Sequence, residues 1–242
     1  MSADTLLGGQ VQLRQLPEGY RVAIDPVLLA AAVPAGKEQE ESILDLGCGV
    51  GAASLCLARR VASCKIQGIE RQAQLVRVGQ ENIIANDFAG RVVIREGDVL
   101  EEGLFAPDSF DHVMANPPFL AAGTSTPPRP EKAEATIEGE ADLAAFVRVA
   151  LRLVRVKGSI TFIHRADRLE ALLAPLRGRA GEITIFPLWP AMGRPAKRVI
   201  IRARKGVASP SKLCPGLVLH EAGGGFTAPA QAVLREGAGL PF

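Results

Sequence analysis

The chain has 242 residues, 48% hydrophobic and 22% charged, with a formal net charge of +2. It holds no apolar run of the roughly 18 residues that a membrane span needs, and no basic-then-apolar leader, which argues against an integral membrane or exported protein and for the cytoplasm. The small net charge hides a division: residues 1–140 carry 12 basic and 20 acidic side chains, residues 141–242 carry 16 and 6, so the second half suits either a polyanionic partner or a solvated basic face.

Residues 1–30 read as a short hairpin or arm followed by a helix over the apolar run Val27–Val33. From residue 42 onward, strand-like and helix-like runs alternate. Ser42–Leu46, Lys65–Glu70, Arg91–Glu96, Phe110–Ala115 and Gly158–Ile163 read as strands. Ala52–Val61, Arg71–Asn86, Leu143–Val156 and Ala166–Leu176 read as helices. Strands alternating with helices imply right-handed crossovers and a parallel sheet. The last two strands, Glu182–Pro187 and Arg198–Lys205, have no helix between them, so one should be antiparallel. The expectation is an α/β fold with a mostly parallel seven-stranded sheet, one reversed strand and helices on both faces. Residues 121–140, rich in Pro, Thr, Gly and charge, read as a flexible loop. Residues 207–242 read as an irregular tail packed on the same domain. The division expected is an arm and helix over the site (1–40), a central domain (41–206) and that tail.

Metal chemistry finds no support. Cys48, Cys56, Cys64 and Cys214 show no C-x-x-C pair, and His112, His164 and His220 stand apart. A disulfide framework is equally unsupported.

Two constellations carry chemistry. The first is Asp45-Leu46-Gly47-Cys48-Gly49-Val50-Gly51, between the first strand of the alternating series and its helix. Glycines there let the backbone turn tightly and let a ligand approach, and the helix start offers free N–H groups. Glu70 ends the next strand, 21 residues after Gly49, where an acid can hold two ribose hydroxyls. A nucleoside lying across the strand ends is the implication. Gly47-x-Gly49-x-x-Ala52 also fits a loose dinucleotide fingerprint. Asp45 opposes that reading, because a carboxylate repels a pyrophosphate and suits a cationic ligand.

The second constellation is Asn116-Pro117-Pro118-Phe119, at the end of the fourth strand. Two prolines stiffen the chain and remove two N–H donors. The Asn116 amide oxygen and the Pro117 carbonyl can then accept the two N–H bonds of an exocyclic amine. Phe119 can stack on a flat ring.

With Asp45–Gly51, Glu70, Gly97-Asp98 and Asn116–Phe119 in place, the chain resembles the class I S-adenosylmethionine-dependent methyltransferases. That resemblance implies a Rossmann-like fold. It implies that Asp45 and the turn glycines Gly47, Gly49 and Gly51 line the methionine part of S-adenosylmethionine, that Glu70 holds the ribose, and that Asp98 bonds the adenine amino group. It associates Asn116, Pro117, Pro118 and Phe119 with methylation of a nitrogen on a planar system. The two ends narrow it. Leu6–Val11, Gly19–Ala30, Lys197–Gly206 and the segment His220–Thr227 are similar to the bacterial tRNA1(Val) adenine-N6-methyltransferases, which modify an adenine beside the anticodon. By the same resemblance, Asp25 reaches the cofactor and tRNA is the partner; oligomeric state stays open.

A tRNA substrate gives the basic half a use. On a strand alternate residues share a face, so Arg198, Arg202 and Arg204 would point one way, and Arg198 and Arg202 are the candidate phosphate contacts. Arg155 and Lys157, at a helix end, can equally answer the helix dipole. The alternatives are methylation of guanine N2 in rRNA or of a protein glutamine amide, a non-catalytic cofactor- or RNA-binding module, and, more remotely, a dehydrogenase.

Overall fold

The computed structural model describes residues 2–17, 21–34, 36, 40–117, 120–121, 137–138 and 140–242. Pro118, Phe119 and most of the 121–140 loop lie outside the described residues.

A hairpin opens the chain: β1 (Ser2–Leu6) pairs antiparallel with β2 (Val11–Gln15). Helix α1 (Asp25–Ala32) follows, with Pro26 in its first turn, where a missing N–H costs nothing. Every residue of α1 is buried, as expected of a helix whose residues after Asp25-Pro26 are all apolar. Its last carbonyls are satisfied from elsewhere. The Arg60 guanidinium donates to Ala30 O at 2.9 Å and to Val33 O, and Leu240 N donates to Ala31 O at 2.9 Å.

The main sheet takes β3 (Ser42–Leu46), β4 (Lys65–Glu70), β5 (Val92–Glu96), β6 (Phe110–Ala115), β9 (Val154–Arg165), β10 (Ala180–Ala191) and β11 (Arg198–Lys205). Between β6 and β9 lie the two-residue strands β7 (Leu120–Ala121) and β8 (Ile137–Glu138), which pair with each other. The order is β10-β11-β9-β6-β3-β4-β5. Strands β9, β6, β3, β4 and β5 run parallel, and β11 is antiparallel to both its neighbours, so the reversed strand is present. Helices α2 (Ala52–Arg60) and α3 (Ala73–Ala85), with α1, cover one face; α4 (Glu140–Leu153) and α5 (Leu169–Leu173) lie on the other.

Three sequence expectations change. The sheet has nine strands, not seven, because the C-terminal segment contributes β12 (Lys212–Leu213) and β13 (Leu217–His220), both parallel to β10. Residues 207–242 are therefore not irregular. They also form helix α6 (Ala228–Glu236), capped by Thr227 Oγ1 accepting from Ala230 N at 3.3 Å and closed by left-handed Gly237. Both caps are ordinary helix signals; the brevity of the helix hid them. Third, α4 ends at Leu153, and residues 154–158 belong to β9, whose register against β6 shifts there. Arg155 pairs with Asp111, so it answers an ion pair and not a helix dipole.

Helix α3 holds the hairpin by an arrangement that sequence periodicity does not reveal. Asn82 Oδ1 accepts from Arg14 N at 2.7 Å, and its Nδ2 donates to Arg14 O at 3.1 Å. Asn86 repeats this one turn later, with Gln12 N and O both at 2.8 Å. Four residues of helix rise about 6.0 Å and two residues of strand about 6.6 Å. The two amides thus stand in for a neighbouring strand along the open edge of β2. Asn82 Nδ2 also reaches Val50 O at 3.1 Å, tying the hairpin to the glycine turn. Asn82→Ala strands the part-buried Arg14 N and O and the buried Val50 O and should cost about 1–3 kcal/mol, measured by urea unfolding. A loss under about 0.5 kcal/mol would mean that the amide bridge carries no stability.

Candidate active site

The parallel strands bring the proposed cofactor residues to one end of the sheet. Glu70, the glycine turn, Asp98 and Asn116 all lie at the carboxyl ends of β4, β3, β5 and β6. Across the sheet the order is Asn116, the turn, Glu70 and Asp98, at intervals of about 4.8 Å. That line spans roughly 14 Å.

The turn is held from both sides by carboxylates. Gly47, Gly49 and Gly51 have φ of +68°, +56° and +85°, the left-handed region that side chains other than glycine rarely adopt. A Cβ on Gly51 would come 2.8 Å from Ile94 Cδ1, whereas one on Gly49 would meet nothing within 4 Å. Gly51 is therefore closed by core packing, while Gly49 faces open space. Glu70 Oε2 accepts from Gly49 N at 3.0 Å, and Oε1 accepts from Gln72 N at 2.9 Å. Glu70 is buried.

Asp45 lies beneath the turn, 2% exposed, and Oδ2 accepts from Ser54 Oγ at 2.6 Å. Burial pushes its carboxyl up to about 7, opposed by hydrogen bonds from Ser54. Ser54 lies in the first turn of α2, so Asp45 fastens the start of that helix. Asp98 is exposed just past β5, and its Oδ1 accepts from Leu100 N at 2.9 Å.

Asn116 and Pro117 follow β6 directly, and Pro117 is buried. Asn116 Oδ1 is shielded from solvent and has no hydrogen-bond partner among the described residues. A buried acceptor left unmatched costs on the order of 1–3 kcal/mol. This atom lies at the same end of the sheet as the glycine turn and Glu70, and a ligand's N–H could match it. The residues present therefore fit a nucleoside-bearing cofactor beside an amine substrate: an open glycine face, an acid on one side of it and an unmatched amide oxygen on the other.

Asp25 begins α1 at the same end, and its Oδ2 accepts from Arg198 Nε at 3.0 Å. Arg198, assigned to RNA phosphate from sequence, thus has its Nε bonded to a buried carboxylate. Arg202, its companion in that assignment, is also engaged by the chain. Its guanidinium lies 4.0 Å from the centre of the Phe242 ring, and burial pushes its pKa down. Arg204, on the same side of β11, pairs with Glu182 at 3.0 Å. Alternation placed the three on one side; the structure fills that side with the chain's own groups. Sequence reasoning missed Ser54 and also Phe146 of α4, whose ring edge lies 3.5 Å from where a Gly47 Cβ would stand. Neither residue carries a motif.

The family model described as "Methyltransferase small domain" matches residues 24–137. A tRNA1(Val) (adenine(37)-N6)-methyltransferase of Porphyromonas gingivalis is 32% identical over 179 residues, 71% of this chain and 69% of that protein. This chain belongs to that methyltransferase family. A relative of the same name from Aeromonas hydrophila is 27% identical over 212 residues, covering 86% of this chain and 85% of its own. The fold is shared with a predicted O-methyltransferase of Agrobacterium tumefaciens, at a TM-score of 0.73 and 24% identity, over 89% of this chain and 98% of that one. It is shared more distantly with a geranyl diphosphate methyltransferase in complex with S-adenosylmethionine, at 0.53 and 15%, over 74% and 82%. The methyltransferase thus has the Rossmann-like class I fold. Among the described residues, no helix is long and apolar enough to cross a membrane.

Asp45 makes stability pH-dependent in a definite sense. Its folded pKa lies above the ordinary carboxylate value, so the folded chain holds a proton that the unfolded chain releases. Stability then falls as pH rises from about 4 to about 7 and stays reduced above that window. Asp45→Asn removes this dependence. In urea titrations of the ligand-free methyltransferase, the advantage of the variant over the parent should grow from pH 5 to pH 8. Parallel curves would show that Asp45 does not titrate in that range.

Proposed function

We propose that the methyltransferase transfers a methyl group from S-adenosylmethionine to the exocyclic N6 of an adenine in tRNA, beside the anticodon of a valine tRNA. The unmatched Asn116 Oδ1 carries this reading, and the names of the relatives support its substrate. The cofactor supplies a sulfonium-activated methyl group. The chain's own contribution is position.

Glu70 is placed to receive ribose hydroxyls while its Oε2 fixes Gly49. Gly49 leaves the open face on which the methionine part lies, above Asp45. Asp98 has one carboxylate oxygen beyond its bond to Leu100 and is assigned the adenine amino group. Asp25 closes the site from α1, steadied by Arg198. Asn116 Oδ1 and the Pro117 carbonyl accept the two N–H bonds of the target amine. That pairing draws the nitrogen lone pair out of the ring and aims it at the methyl. A neutral amide does this without a charge that titrates. Phe119 keeps the stacking role, and Pro118 the stiffening role, that sequence assigns them. The target base must leave its stack to enter, and a loop nucleotide does so more readily than a paired one. Residues 1–40, 41–206 and 207–242 serve as arm, catalytic domain and cover of one unit.

Labelled S-adenosylmethionine incubated with tRNA from a strain lacking this modification should yield N6-methyladenosine in one valine tRNA. Label in protein, or 2-methylguanosine in rRNA, would overturn the reading. Asn116→Ala should lower turnover at least about a hundredfold, as misplacement of a reacting group does, while cofactor affinity stays within about tenfold. Turnover near that of the parent would remove Asn116 from the pocket.

A further inference from the structure

With Arg198 bonded to Asp25 and Arg202 over the Phe242 ring, other cations of the basic half are better placed to meet the RNA. The antiparallel course of β11 carries the β10–β11 turn, residues 192–197, to the end of the sheet that holds Asn116. Arg198 stands opposite Arg165 on β9, and β9 runs parallel to β6 with Phe162 opposite Ala115. Two strand spacings, roughly 10 Å, separate β6 from β11.

The backbone of this turn is pinned. Arg194 N donates to Ala191 O at 3.2 Å, Lys197 N to Leu188 O at 3.3 Å, and Lys197 O accepts from Ala166 N at 3.1 Å. Pro195 lies between them. The side chains do the opposite. Arg194 and Lys197 are exposed, and neither side chain makes a hydrogen bond or ion pair with the described residues. Met192 is 82% exposed, more than any other large apolar side chain among the described residues. Two unspent cations follow a flexible thioether on a rigid turn. Such a surface needs little ordering on binding, and methionine adapts to an irregular partner.

We propose that residues 192–197 form the RNA-docking element of the methyltransferase. Arg194 and Lys197 meet phosphates next to the methylated nucleotide, and Met192 packs on a neighbouring ribose or base. This rests on the tRNA reading above. A base drawn into the Asn116 pocket keeps its backbone outside, with a phosphate on either side. Those phosphates must lie on surface beside β6, and this turn presents its charges there. An acidic protein partner would match the charge but gives no reason for the turn to sit beside an amine pocket.

The test uses an unmodified valine tRNA transcript, with binding followed by filter retention from low to high KCl. Arg194→Gln with Lys197→Gln removes two charges from the turn. Arg177→Gln with Arg179→Gln removes two exposed charges before the opposite end of β10 and serves as the control. Loss of two phosphate contacts should flatten the slope of log K against log salt by about 1.4–1.8. The KM for tRNA should rise about tenfold, the loss falling on KM rather than on kcat, while the control pair leaves slope and KM unchanged. Met192→Glu should raise KM in the same direction. An unchanged slope in the turn variant, or an equal change in the control, would overturn the assignment while leaving the tRNA reading intact. If the parent protein shows no salt-dependent binding of the transcript, both readings fall together.

Discussion

The site depends on one constraint: a backbone turn that passes through the left-handed region at Gly47, Gly49 and Gly51 must be held without side chains of its own. Two buried carboxylates do this from neighbouring strands. Glu70 reaches Gly49 N from β4, and Asp45 fastens Ser54 at the start of α2 from below. The residues that suit a cofactor are thus also the residues that make the loop. Asp45 is strained by its own burial, and that strain is tolerated because its oxygens are matched by α2. Asn116 Oδ1 is the contrast, a shielded acceptor with no partner among the described residues. On the function proposed above, the substrate's amine matches it.

A second layer closes the molecule around α1. Arg198 grips its first residue, Arg60 and Leu240 take its last carbonyls, and the hairpin is fastened to α3 by Asn82 and Asn86. These bonds join the two ends of the chain to its middle. They also use up basic residues that sequence alone offers to RNA. Arg198, Arg202 and Arg204 are drawn inward by Asp25, Phe242 and Glu182. The positive charge of the second half is therefore partly architectural, and what remains exposed includes Arg194 and Lys197 of the β10–β11 turn.

The parallel course of the central strands followed from the alternation of apolar runs, because a parallel sheet buried on both faces leaves that pattern in the sequence. The reversed strand followed from a connection too short for a crossover helix. The glycine turn, Glu70 and Asn116-Pro117 were legible because their chemistry needs those residue types at those spacings. Strands β12 and β13 and helix α6 were not. Their order comes from packing against β10 and α1, and segments so short carry little periodicity of their own.

The sequence by itself determined which residues gather at the strand ends: the glycine turn, Glu70, Asp98 and Asn116. Local backbone demands and motif spacing encode these within a few residues. Only the tertiary structure decided how each charge is spent. An arginine's role depends on the acid or ring that folding brings to it, and Asp25 and Arg198 lie 173 residues apart in the chain.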